Sequence, residues 1–217
     1  MVGSLGSGKT EIAINYSLYC RRNYDQVAIV DLDMVNPYFR TREVRDRLNT
    51  KGLKVITPEG GMIYADLPFV SPEIKGLMQN TNYHLILDVG GDNKGAVILG
   101  YFRDLISNEN YEMLLVVNSY RPFTQNLPQI RQMAQEIEDS SRLKITGIVS
   151  NPNLGTQTDQ EVIRKGHMLI KEAAVKLNLP IKFISIDKRF YQKISLEDFD
   201  QPIFYLERFM RLPWEQL

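Results

Sequence analysis

Residues Gly3 to Thr10 read GSLGSGKT, a complete GxxxxGK[ST] pattern. In the TEIAINYSLYCRR stretch that continues from it, Ile12, Ala13, Tyr16, Tyr19 and Cys20 recur at helical spacing. A glycine-rich turn feeding directly into an amphipathic helix is the phosphate-binding arrangement. The glycines let successive backbone N–H groups turn inward around an anion, a lysine reaches the outer phosphates, and a hydroxyl is left for Mg²⁺. The nucleotide-binding residues read from the motif are Gly3, Leu5, Gly6, Ser7, Gly8, Lys9, Thr10 and Glu11. Lys9 carries the catalytic charge, and Thr10 is a metal ligand.

Such a loop needs a parallel sheet behind it, and the chain supplies one. Short apolar, β-branched runs at 27–31, 53–56, 84–88, 113–118, 144–150 and 181–186 predict buried strands. Helical patterns near 10–22, 37–49, 72–80, 95–107, 124–139 and 159–178 alternate with them, the second opening at Asn36-Pro37. The predicted fold is α/β, a doubly wound, mainly parallel sheet flanked by helices. The 217 residues, 43% hydrophobic, suit one domain with a single core. Lys plus Arg and Asp plus Glu both number 26, so no global field favours nucleic acid or an anionic membrane. The single cysteine, Cys20, excludes a disulfide framework within the chain and reads as a buried helix thiol. No apolar run reaches the roughly 18 residues of a membrane span, and the N-terminus lacks the pattern of a signal peptide. The expectation is a cytoplasmic protein.

Ligands of open parallel sheets sit beyond the carboxyl ends of the strands. Three such ends here, DLDMVNP, DVGGD and SNPN, are polar. Asp88 closes an apolar strand where a carboxylate can hold Mg²⁺, and Gly91 lets a bare N–H approach a γ-phosphate. Alternation puts Asp31 and Asp33 on one side of the chain, where either can orient a water or support the metal, or simply form a turn. Arg40 and Arg42 read as phosphate or partner contacts, or as a solvated helix face. His84 and His167 have no matched ligand nearby, and the acidic run of Glu136, Glu138 and Asp139 reads as solvated.

The order phosphate loop, DLDxxNP, DVGGD, GIVSN resembles the MinD/ParA branch of the SIMIBI class of P-loop NTPases. It also resembles the nitrogenase-iron-protein-like and CobQ/CobB-like members, over most of the chain from Met1 to about Ile186. The resemblance implies a seven-stranded, mainly parallel sheet, ATP with Mg²⁺ as ligands, ATP-dependent homodimerisation and slow hydrolysis. It makes Asp33 the water-orienting catalytic residue, Asp88 and Gly91 the second switch with Asp88 near the metal, and Asn151 the reader of adenine. Three positions depart from the pattern. Ser4 stands where the deviant loop of MinD and ParA has a lysine, Gly95 stands where the nitrogenase iron protein has its cluster cysteine, and Asn151 is followed by Pro152-Asn153-Leu154 rather than the KxD of guanine readers.

The function expected from this reading is a slow ATPase switching a protein partner. A nucleotide-gated binding module with negligible turnover and a small-molecule kinase or ligase are the alternatives, and the loop from Pro58 to Pro72 is the only candidate substrate lid. Ile203, Phe204, Leu206, Phe209 and Met210 form an apolar stripe. A tail from about residue 188 is therefore expected to dock on the domain, with a membrane-binding helix as the alternative. Only Met1 and Val2 precede Gly3, whereas buried strands run about five or six residues. The expectation is a shortened first strand in a natural protein that begins upstream.

Overall fold

The computed structural model describes residues 1–33, 44–57, 72–91, 93–107, 110–195, 197 and 199–210. The candidates at Asn36-Pro37, Arg40, Arg42 and almost all of the Pro58–Pro72 loop lie outside these residues.

Among the described residues the strands are β1 (Val27–Leu32), β2 (Lys54–Ile56), β3 (His84–Val89), β4 (Leu114–Val117), β5 (Gly147–Ser150), β6 (Ile181–Asp187) and β7 (Ile203–Leu206). The helices between them are α1 (Lys9–Cys20), α2 (Arg45–Asn49), α3 (Pro72–Met78), α4 (Asn93–Tyr101), α5 (Arg103–Ser107), α6 (Leu127–Ser141) and α7 (Gln160–Leu177). The strands pair in the orders β2-β1-β3 and β4-β5-β6-β7, all parallel. Six of them fall where apolar runs predict strands, since a strand covered on both faces has no polar side to alternate with. The helical pattern at 95–107 is two helices, α4 and α5, with Phe102 buried between them.

Met1 and Val2 lie between the facing edges of β3 and β4. Met1 O accepts from Val89 N at 3.1 Å, Val2 N donates to Leu114 O at 2.9 Å, and Val116 N donates to Val2 O at 2.8 Å. Val2 makes only an isolated parallel bridge to Leu115, so the strand that holds the phosphate loop is a stub joining two sheets. Beside it, between the earlier parts of β3 and β4, lies an apolar cavity of about 370 Å³ lined by residues including Leu85, Leu87, Met113 and Leu114.

Part of the apolar stripe near the C-terminus is strand, not helix: β7 pairs with β6 from Ile184↔Ile203 to Asp187↔Leu206. Asn15 of α1 meets the following residue as a strand would, donating to Glu207 O and accepting from Glu207 N, both at 2.8 Å. Phe209 and Met210 are buried against α1 and β1. Burial of such side chains stabilises by about 1.5–3 kcal/mol each. The Arg47 guanidinium lies 4.4 Å from the Phe209 ring centroid and pairs with Glu207.

Glu11 holds the tail to α1. Its carboxylate accepts the Phe209 N–H and, at 3.1 Å, the Met210 N–H. Burial pushes its pKa up to about 7, against the opposing pull of those two N–H groups and Arg208. The unfolded group ionises near its usual 4.5, so between pH 4.5 and 7 the folded protein binds more protons than the unfolded chain. This group's stabilisation is therefore full below pH 4.5 and lost as pH rises through 7, a span worth roughly 3 kcal/mol. Thermal melts across that range are expected to show a shallower pH slope for Glu11→Gln than for the wild type. An unchanged slope would place the titration elsewhere.

Candidate nucleotide site

The phosphate loop begins at the stub and bends because its glycines adopt backbone angles that side chains avoid. Gly3 has φ +142° and Gly8 φ +94°; a Cβ at Gly3 would lie 2.3 Å from Val116 O, and one at Gly8 2.4 Å from Asn151 Nδ2. Gly8 is also the residue that caps α1 at its N-terminus, and it provides no side-chain cap. A helix N-terminus carries partial positive charge and points its backbone N–H groups outward, which together favour an anion. The Ser4 and Ser7 hydroxyls are buried there with no hydrogen-bond partner. Lys9 is 6% exposed and its Nζ donates to Ser4 O at 3.0 Å, so the ammonium is folded back along the loop.

β1 and β3 bring the acidic residues to one flank of this loop. Asp31 and Asp88 are in register on the two strands, and Asp33 follows β1, its N–H donating to Asp31 Oδ1 at 3.0 Å. All three carboxylates are buried. Burial pushes the Asp88 pKa up to about 6, while the Thr10 hydroxyl, the Lys9 ammonium and the Met1 amino group pull it down. Both Asp88 oxygens are out of water without a well-formed hydrogen bond. Among the described residues no cluster of three acidic, histidine or cysteine side chains is placed to hold a metal. One buried carboxylate beside a threonine hydroxyl fits Mg²⁺, which keeps waters and phosphate oxygens in its shell rather than sitting in an all-protein cage.

The turn at Gly90 and Gly91 closes over the same flank. A Cβ on Gly91 would lie 2.7 Å from Leu5 Cα and 3.0 Å from Lys9 Nζ, so the chain passes this close only because residue 91 is glycine. Gly95 packs on Gly90, where a Cβ would meet Gly90 O at 2.4 Å; the cysteine of the iron-protein pattern has no room in this arrangement. Gly90 itself faces Asp33, whose Oδ1 is 3.2 Å from the point a Cβ would occupy. Asp33, Asp88, Gly91, Lys9 and Thr10 are thus brought together.

β5 supplies the opposite flank. Asn151 is 5% exposed and its Nδ2 donates to Ser7 O at 2.7 Å, so it braces the loop. Of the residues assigned to nucleotide contact, Glu11 stands apart: it lies in the first turn of α1, but its carboxylate is turned to the tail. Sequence reasoning passed over Asn118, which ends β4 and ties that strand to the β5 loop through bonds from Asn153 N at 3.2 Å and to Asn153 O at 2.8 Å. The only sequence signal for it was an asparagine closing an apolar strand. His167 is a buried core histidine, between Ser150 Oγ at 3.0 Å and Gln201 Oε1 at 2.9 Å, with burial holding its pKa down.

A parallel sheet flanked by helices, with a glycine-rich loop delivering a lysine to a helix N-terminus, defines the α/β fold of P-loop NTPases. No family model matches the chain, and no curated protein matches it. Solved structures do. The 54 kDa protein of the signal recognition particle from Aeropyrum pernix, solved with GDP, is 24% identical over 84% of this chain and 39% of its own, with a TM-score of 0.54. The cell division protein FtsY from Thermotoga maritima is 20% identical over 85% of this chain and 60% of its own, with a TM-score of 0.55. A nucleotide-binding protein from Archaeoglobus fulgidus, solved with ADP, is 17% identical over 88% of this chain and 82% of its own, with a TM-score of 0.50. The likeness is one of α/β P-loop NTPase-like fold, and this chain spans less than two thirds of the first two relatives. No helix among the described residues is long and apolar enough to cross a membrane.

Proposed function

We propose that this protein binds Mg·ATP and hydrolyses it slowly, acting in the cytoplasm as a nucleotide-driven switch on a partner protein. The observation that carries the reading is the approach of Gly91 to Leu5 and Lys9. A terminal phosphate held by Lys9 must meet the Gly91 backbone, so its arrival and loss are felt in the Gly90-Gly91 turn and in α4 behind it. In this reading Thr10 and Asp88 hold Mg²⁺, Asp33 orients the attacking water, and the orphaned Ser4 and Ser7 hydroxyls find acceptors on the ligand. Ser4 brings no cation to a partner's nucleotide, so the catalytic charge comes from Lys9 of the same chain, whether or not ATP also drives a homodimer.

Adenine is preferred because one Nδ2–H of Asn151 donates to Ser7 O, which fixes the orientation of the amide. Its Oδ1 is an acceptor, which suits the exocyclic amine of adenine and opposes the carbonyl oxygen of guanine. Calorimetric titration is expected to show at least tenfold tighter binding of Mg·ATP than of Mg·GTP, and equal affinities would remove the adenine assignment. Turnover measured on the same sample separates a slow ATPase from a nucleotide-gated binding module, which would hold ATP without forming ADP.

A further inference from the structure

The loop from β4 to α6 belongs to none of the motifs, yet it is held from several sides. Asn118, 1% exposed, accepts the Tyr120 N–H at 3.1 Å and, through its carbonyl, the Arg121 N–H at 3.0 Å and the Thr124 hydroxyl at 2.6 Å. Tyr120 Oη donates to Val162 O at 2.7 Å. From this frame the Arg121 side chain reaches across to the phosphate loop, where Nε donates to Gly6 O at 3.1 Å.

The turn beside it is strained in a way that packing does not explain. Thr124 N donates to Arg121 O at 3.2 Å, closing a four-residue turn with Pro122 second and Phe123 third. Phe123 has φ +65°, the left-handed angle that glycine or asparagine takes at the third position of such turns. It is also 75% exposed, so no burial compensates for placing a bulky side chain there. Strain of this kind collects at ligand-contacting segments.

The flanks of the loop decide what meets this turn. Asp33, Asp88 and Gly91 gather on the side of Leu5 and Lys9, whereas Asn151 and Arg121 take the carbonyls of Ser7 and Gly6. A nucleotide whose terminal phosphate and metal lie on the acidic flank must carry its nucleoside to the other. We propose that the Arg121–Thr124 turn is the nucleoside wall of the site, with the planar Arg121 guanidinium and the Phe123 ring packing against the purine. Guanidinium and aromatic planes both stack on bases. This assignment rests on the nucleotide-binding reading above.

The test compares Mg·ATP with inorganic tripolyphosphate, which keeps the phosphates and lacks the nucleoside. Arg121→Ala and Phe123→Gly are each expected to weaken ATP binding tenfold or more and to leave tripolyphosphate within twofold of the wild type. Arg121→Lys keeps the charge without the plane and is expected not to restore ATP affinity. Phe123→Gly is expected to melt no lower than the wild type, because glycine relieves the turn, so a folding defect does not account for its loss. Equal weakening for both ligands would show that the turn acts through phosphate charge, and unchanged ATP affinity would show that it makes no contact; either overturns the proposal. A wild-type protein that binds neither ligand would instead remove the nucleotide reading on which it stands.

Discussion

Replacing Lys9 by alanine is expected to weaken Mg·ATP binding about 100-fold or more. The ammonium is 6% exposed, so it has already given up its water in the folded protein, and its contact with a phosphate is made in a site that solvent screens little. Hydrogen bonds to charged groups contribute about 1.5–3 kcal/mol net, and the loss of ion pairing with a multiply charged phosphate adds to that. The substitution also removes one of the cations that hold the buried Asp88 carboxylate ionised, so metal binding weakens with it. The helix itself is little affected, since alanine is the best helix former. Titration calorimetry measures the affinity, and a Lys9→Ala protein that binds as well as the wild type would show that the loop is not the phosphate site.

Asp33→Ala is expected to retain Mg·ATP within a few-fold and to slow its hydrolysis about 100-fold or more, the range for removing a group that positions or deprotonates a reacting water. The separation follows from where the carboxylate lies. Asp33 is buried at the end of β1 against Gly90, and its charge raises the Asp88 pKa, which the Thr10 hydroxyl pulls down. A side chain that acts in the transition state lowers the rate and spares the ground-state complex. Asp88→Ala is the contrasting variant, expected to lose the Mg²⁺ dependence of binding. Single-turnover measurements decide, and wild-type hydrolysis by Asp33→Ala would assign water orientation to another group.

The legibility of this site follows from how local its parts are. The phosphate loop is a contiguous segment whose glycine, lysine and hydroxyl offsets are set by backbone geometry, so Gly3–Thr10 was readable without its surroundings. Asp88, closing the apolar run at 84–88, was readable because strands in a parallel sheet end where the ligand sits. Arg121 was not readable. Its contact with Gly6 spans 115 residues and depends on Asn118 tying the ends of β4 and β5 together. β7 was read as an apolar stripe of unassigned form because a short run of apolar residues satisfies either period, and only the free edge of β6 made it a strand.

The sequence by itself determined the class of fold and the chemistry of the loop, because alternating buried strands and amphipathic helices admit few packings and a GxxxxGK[ST] turn admits few ligands. Tertiary structure alone decided which groups face one another. It set Gly91 against Leu5 and Lys9, turned the Glu11 carboxylate away to the backbone of the tail, and committed the Asn151 amide to the loop. It also placed Met1 and Val2 between β3 and β4, where two residues join the two sheets. These are contacts between segments distant along the chain, and their geometry comes from packing the whole core, which no local period or spacing encodes.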